Sequence, residues 1–291
     1  MKKTILLFIT VIIAVSTIQA QLLWKITGNG LKHPSYLFGT HHLIPIQFLD
    51  SVPGLFKAFN ESETVVGEMV LNNLDASAKI QQAAVMPNHK KISDLLTEEE
   101  YKFVDNELKT TLKFGLKEVS IMNPLLILTM YEMEKYKKLT GFSDDKQSDS
   151  YFQLVAAEKE KKVLGLETIE QQIALLFGNG SLERQAKVLV ESMRKKDDML
   201  KEMISLNKLY KAGKLNDLHL LSKGKGAITD MTDEEFRRMA DDRNADWITK
   251  LPKMLKESSC FIAVGALHLP GQNGLLKLLE KEGYKLSPVN N

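Results

Sequence analysis

Cys260-Phe261-Ile262-Ala263-Val264-Gly265-Ala266-Leu267-His268 is the stretch that decides the fold. Its apolar run, with branched and aromatic side chains, reads as a strand buried on both faces. A glycine ends the run, and a histidine follows three residues later. Three other runs share this plan. They are Tyr36-Leu37-Phe38 into Gly39-Thr40-His41-His42, Thr64-Val65-Val66 into Gly67-Glu68, and Lys162-Val163-Leu164 into Gly165-Leu166-Glu167. Helical patterns separate most of them. The chain therefore reads as α/β, a central, mostly parallel or mixed sheet flanked by helices with a helical middle insertion. Gly39-Thr40-His41-His42-Leu43-Ile44-Pro45 and Gly265-Ala266-Leu267-His268-Leu269-Pro270 form a weak internal echo. One sheet would set these two units side by side, which predicts a single domain over residues 21–291.

The helical middle carries its own signals. Thr97-Glu98-Glu99-Glu100, Thr168-Ile169-Glu170-Gln171 and Thr232-Asp233-Glu234-Glu235 are capping boxes. Asn123-Pro124 sets an N-cap before a first-turn proline, ahead of a helix over Leu125 to Lys138. Leu182 to Lys211 reads as one long amphipathic helix broken at Gly213, and its interspersed acidic residues favour packing over the core rather than membrane activity. Trp24–Thr27 and Tyr284–Val289 read as peripheral strands.

Residues 1–20 read as a secretory signal. Met1-Lys2-Lys3 is a positive start, Thr4 to Val15 is apolar, and Ala20 is a small residue suited to cleavage. An uncleaved anchor is the competing reading of the same segment. The formal charge of +2 comes from that segment, since without Lys2 and Lys3 the basic residues equal the 37 acidic ones. Balanced charge argues against a nucleic-acid binder. Cys260 is the sole cysteine, so no intramolecular disulfide forms. These features predict an exported bacterial protein, periplasmic or extracellular, with no stable membrane span after cleavage.

His42, Glu68, Glu167 and His268 all fall where strands end, and ligands of open α/β sheets bind at the carboxyl ends of strands. Two imidazoles with one or two carboxylates suit zinc, manganese or iron. The apolar neighbours Val65, Val66 and Met69 predict a partner for the Glu68 carboxylate. His41 faces away from His42 if the strand continues. His33, His89 and His219 stand in polar contexts and read as surface residues. Arg243-Asn244 admits two readings, a surface ion-pair helix with Asp241, Asp242 and Asp246, or an arginine that meets a substrate carboxylate or an oxyanion. Asp149 reads as a possible N-cap of a Tyr151–Lys159 helix.

The segments Leu23-Trp24-Lys25-Ile26, Tyr36 to His42, Gly165-Leu166-Glu167-Thr168 with Gln171 or Gln172, Asp242-Arg243-Asn244 and Val264 to Leu275 together resemble the TraB/GumN family. That family includes the metazoan TIKI proteases and the bacterial pheromone-shutdown proteins. The resemblance spans essentially the whole mature chain, and Asp149 and Glu167 match positions typical of it, with Ser148 where a glycine is usual. It implies a fold similar to the erythromycin-esterase and ChaN-like proteins and a peptidase dependent on a divalent metal, manganese, cobalt or zinc. In that scheme His42 and His268 hold the metal, Glu68 is a third ligand or the base, and Glu167 orients a histidine. Arg243 and Asn244, with His41, face a peptide or small-molecule substrate. Two rivals remain open: a metal-free, esterase-like hydrolase using a histidine base, and a non-catalytic protein that sequesters a peptide, haem or a metal.

Overall fold

A computed structural model describes residues 21–71, 74–143, 148–178, 180–224 and 226–290, with the side chains of residues 74–77 and 149 outside that description. The segment read as an export signal lies outside the described residues. Six strands form one mixed sheet: β1 (Leu23–Gly28), β2 (Ser35–Thr40), β3 (Thr64–Gly67), β4 (Lys162–Gly165), β5 (Cys260–Gly265) and β6 (Tyr284–Pro288). Their spatial order is β4-β3-β5-β2-β1-β6. The four strands named for their glycine ends run parallel, while β1 runs antiparallel to both β2 and β6. The deciding stretch is the central strand. All six residues of β2 and all four of β3 are buried, as are the first five of β5. β4 is partly exposed because it closes one edge of the sheet.

Most of the twelve α-helices among the described residues fall into two groups. α1 (Leu55–Glu61), α5 (Ser148–Glu158), α11 (Asp242–Glu257) and α12 (Leu275–Lys281) accompany the sheet, and α2 (Leu74–Ala83) meets α6 (Ile169–Gly178). α3 (Glu98–Leu112), α4 (Pro124–Thr140) and α7 (Leu182–Arg194) build a second apolar cluster, with Val104 and Leu108, Ile127 and Tyr131, and Leu189 and Met193 as its buried contacts. The first cluster centres on aromatic rings from β5, α1 and α5, with Phe152 and Phe261 centroids 4.8 Å apart and Phe59 and Phe261 5.5 Å apart. The capping boxes at Thr97 and Thr232 form as read, and the Thr168 hydroxyl and Gln171 side chain exchange the same pair of bonds. The Asn123 cap bonds the Leu125 N–H.

The expected single helix over Leu182 to Lys211 is instead two. α7 ends at Arg194, and α8 (Lys196–Lys211) starts after Lys195, whose φ of −101° and ψ of 29° turn the chain. The reason is that the two halves serve different cores. Leu189, Val190 and Met193 fill the helical cluster, while Tyr210 enters the sheet cluster and its hydroxyl donates to the Gly39 carbonyl at 2.7 Å. α9 (Leu215–Ser222) follows, and α10 (Asp233–Phe236) leads through a π-helical turn, Arg237–Asp241, into α11. No helix among the described residues is long and apolar enough to cross a membrane.

Candidate functional site

Sheet register assembles the site. Gly67 is paired with both Gly165 and Ala263, and Thr40 with Gly265, so the four parallel strands end along one line. The chain must then leave each strand sharply. A side chain on Gly39 would have its Cβ 3.1 Å from the Ala266 Cα, and one on Gly165 would lie 3.0 Å from the Val70 N. Glycine is thus required by close approach rather than by unusual torsions. After β5, the turn Ala266–His268 folds His268 back over the strand ends.

Arg243, on the first turn of α11, stands at the centre of what gathers there. Its Nε donates to Glu167 Oε1 at 2.7 Å, and its Nη2 donates to Glu167 Oε2 at 3.0 Å and to Glu68 Oε2 at 2.5 Å. Nη1 reaches the Met239 carbonyl at 3.2 Å and His268 Nε2 at 3.0 Å. The fork geometry matches guanidinium to carboxylate and makes these bonds stronger than neutral ones. Glu167 also accepts from Trp247 Nε1 at 2.8 Å and Gln172 Nε2 at 2.7 Å, and Glu68 accepts from the Gly265 N–H at 2.8 Å. Trp247 packs between, its ring 4.3 Å from that of His268 and 4.7 Å from the Arg243 guanidinium carbon.

The tautomer of His268 follows from Asn244. The Asn244 Nδ2 donates to two carbonyls, of His268 at 3.2 Å and Asn273 at 2.8 Å, which leaves Oδ1 as the acceptor 2.8 Å from His268 Nδ1. Nδ1 therefore carries the proton, and the Nε2 lone pair faces Arg243. Burial and then the nearby guanidinium lower the His268 pKa to about 4 against the opposing pull of Glu68, so the ring is neutral near pH 7. Burial alone would raise Glu68, but His268, Arg243 and the Gly265 N–H outweigh it and hold the carboxyl at about 2.

Of the residues singled out from sequence, Glu68, Glu167, Arg243, Asn244 and His268 come together. Among the described residues, the hydrogen bonds of this cluster include neither His41 nor His42. His41 is half-buried with its ring edge-on to Tyr210, and its carbonyl accepts from Ser148 Oγ at 3.4 Å, while His42 is exposed. The internal echo thus ends at the sheet: β2 and β5 lie side by side, but only the turn after β5 returns its histidine to the site. Glu167 orients Arg243 and Trp247 rather than a histidine. The surface reading of Arg243-Asn244 fails, since the Arg243 side chain is 10% exposed and Asn244 is buried. Asp149 falls inside α5, which already begins at Ser148. His219 is half-buried, edge-on to Phe236 and beside Gly271, not a free surface residue. Sequence reading missed Trp247, whose signal was its place four residues after Arg243 on one helix face. It also missed Asn273, which bonds Asp241 Oδ2 at 2.9 Å.

Of the side chains expected around a metal, Glu68, Glu167 and His268 each bond Arg243. The guanidinium of Arg243 stands where Glu68, Glu167 and His268 would share a cation, and His42 is not in that set. Among the described residues no three His, Cys, Asp or Glu side chains are grouped to hold a metal ion. The arrangement does not fit a metal with Arg243 in place. Three cavities adjoin the site. The smallest, about 170 Å³, is lined by Glu167, Arg243 and Leu175. Leu175 and Met239 also line a second of about 270 Å³, and Leu267 lines a third of about 330 Å³.

The family model described as the TraB/PrgY/gumN family matches residues 22–288. The chain belongs to that family. No curated protein and no solved structure matches it. The matched span of this TraB/PrgY/gumN protein runs from the residue before β1 to the end of β6, so it includes every residue of the strand-end cluster.

Proposed function

We propose that this TraB/PrgY/gumN protein is an exported hydrolase of peptide or related amide bonds in which His268 is the base that activates water. The observation that carries the reading is a neutral imidazole fixed through Nδ1 by Asn244, its Nε2 turned to Arg243 beside a groove. In the closed network His268 is a weak base. A substrate carbonyl that draws Nη1 of Arg243 toward itself removes the cation from Nε2 and leaves Glu68 Oε1, 3.8 Å away, to favour protonation. Nε2 then takes a proton from water, hydroxide adds to the carbonyl carbon, and Arg243 faces the oxyanion that forms. The imidazolium returns its proton to the departing amine. Asn244 is spent on His268 and Asn273, so it acts as a positioning residue. Residues 1–20 support export to the periplasm or beyond a bacterial cell.

A second reading keeps the hydrolysis and adds a divalent ion, manganese, cobalt or zinc. It is favoured by the charge balance, since two carboxylates face one guanidinium. It requires Arg243 to leave its position. Turnover of a fluorogenic peptide library by wild type, His268→Ala, Asn244→Ala and Arg243→Ala, each with and without EDTA, separates the readings. We expect EDTA to leave wild-type turnover intact, and His268→Ala to lose roughly 10²- to 10⁴-fold, the usual worth of a positioned base. Loss on chelation with recovery on adding manganese, cobalt or zinc replaces the metal-free reading by the second. No turnover by the folded wild-type chain overturns the hydrolase.

A further inference from the structure

One carboxylate away from the strand ends takes no part in that mechanism. Glu132, on α4, lines both of the larger cavities and is largely enclosed by protein. It makes no hydrogen bond or ion pair among the described residues. The walls around it are apolar: Leu125, Leu128 and Val188 on one side, Met199, Met203 and Leu267 on the other. A carboxylate without a partner in such surroundings is costly, and burial, then the nearby Glu202, raises its pKa to about 7.

The other charged groups along these cavities do not neutralise it. Arg184 is spent on Glu235 and on the carbonyls of Ile228 and Asp230. Asp230 accepts from the Ala227 N–H, Asp198 pairs with Lys201, and Lys195 is exposed at the rim. The groove therefore presents an apolar wall, one enclosed acid and an excess of negative charge. It also reaches the strand ends, because Leu175 is shared with the cavity at Arg243, the Met239 carbonyl binds Arg243, and Leu267 precedes His268.

We propose that Glu132 is the anchor of a binding pocket for an ammonium or guanidinium group on an apolar stem, as a basic side chain of a peptide would supply. The cation pocket stands on the groove alone, and its assignment as a substrate subsite rests on the hydrolase reading. The ligand head would pair with the enclosed carboxylate while its stem replaces water along the leucine and methionine walls. This makes Glu132 a specificity residue, not a catalytic one.

Calorimetric titration of hexylammonium chloride and of hexan-1-ol into the full chain at pH 8 tests this without any turnover. Wild type is expected to bind hexylammonium about tenfold or more tightly than hexan-1-ol, as for a hydrogen bond to a charged group. Glu132→Gln and Glu132→Met, each checked for native circular dichroism, are expected to lose that preference and still bind hexan-1-ol. Equal affinity of wild type for the two probes, or a preference that survives both substitutions, overturns the proposal. A cation preference in a chain that cleaves no peptide leaves the pocket standing and removes the hydrolase. Cleavage without the preference does the reverse.

Discussion

His268 is kept neutral by burial and by Arg243, and this has a consequence for stability as well as chemistry. Its pKa in the folded chain, about 4, lies below the ordinary value of 6.5, so between these limits the unfolded chain binds the extra proton. Stability then rises with pH across that window and is lost as pH falls through it. Glu68, held at about 2 against an ordinary 4.5, extends the same sign to lower pH. Glu132, raised to about 7, carries the opposite sign over the upper part of the His268 window. In urea midpoints measured from pH 7 to pH 4, wild type should therefore lose more, or gain less, than His268→Ala as pH falls. An unchanged slope in that variant would show that His268 is not the group responsible. The same neighbours explain why burial is tolerated here: each buried ion has a partner, and removing Arg243 alone would leave two carboxylates facing one another.

At the scale of the element, strand ends and one irregular helix share the work of positioning. The π-helical turn at Arg237–Asp241 adds to the winding between α10 and α11. It lets the Met239 carbonyl meet Arg243 while Asp241 reaches Asn273. The glycine ends set how near the His268 turn can lie. A methyl at Gly39 would press on Ala266 and on Leu269 Cδ2, 3.2 Å away, and such overpacking costs about 1–3 kcal/mol. Gly39→Ala is expected to lower the melting temperature and to displace the turn, cutting hydrolysis more than its stability loss explains. Gly178, at the end of α6, has open space around it, so Gly178→Ala should leave both unchanged or gain slightly. Equal effects at the two positions would remove the close-approach argument.

For the whole molecule, α8 joins the two apolar clusters. At its start Lys196 bonds Glu107, which also accepts from the Tyr131 hydroxyl, and near its end Tyr210 bonds Gly39. Ile127 is fully buried in the helical cluster, and its truncation to alanine should cost about 2–5 kcal/mol. Because α8 links the clusters, Ile127→Ala should lower the unfolding midpoint equally by far-ultraviolet circular dichroism and by fluorescence of the buried Trp247. Two separated transitions would mean that sheet and helical insertion unfold independently.

The sequence by itself determined the strands, the glycines that end them and the helix caps. These depend on short-range alternation, on steric need at single positions and on bonds within one turn. It also named five residues of the strand-end cluster, because each follows a strand or sits beside a short motif. Tertiary structure alone decided that His42 stays outside the hydrogen bonds of the cluster, that Lys195 divides a helix between two cores, and that Glu68 and Glu167 share the Arg243 guanidinium. The physical reason is common to all three. Which way a chain turns after a strand, which core a helix face meets and which cation two carboxylates share are settled by elements far apart in sequence.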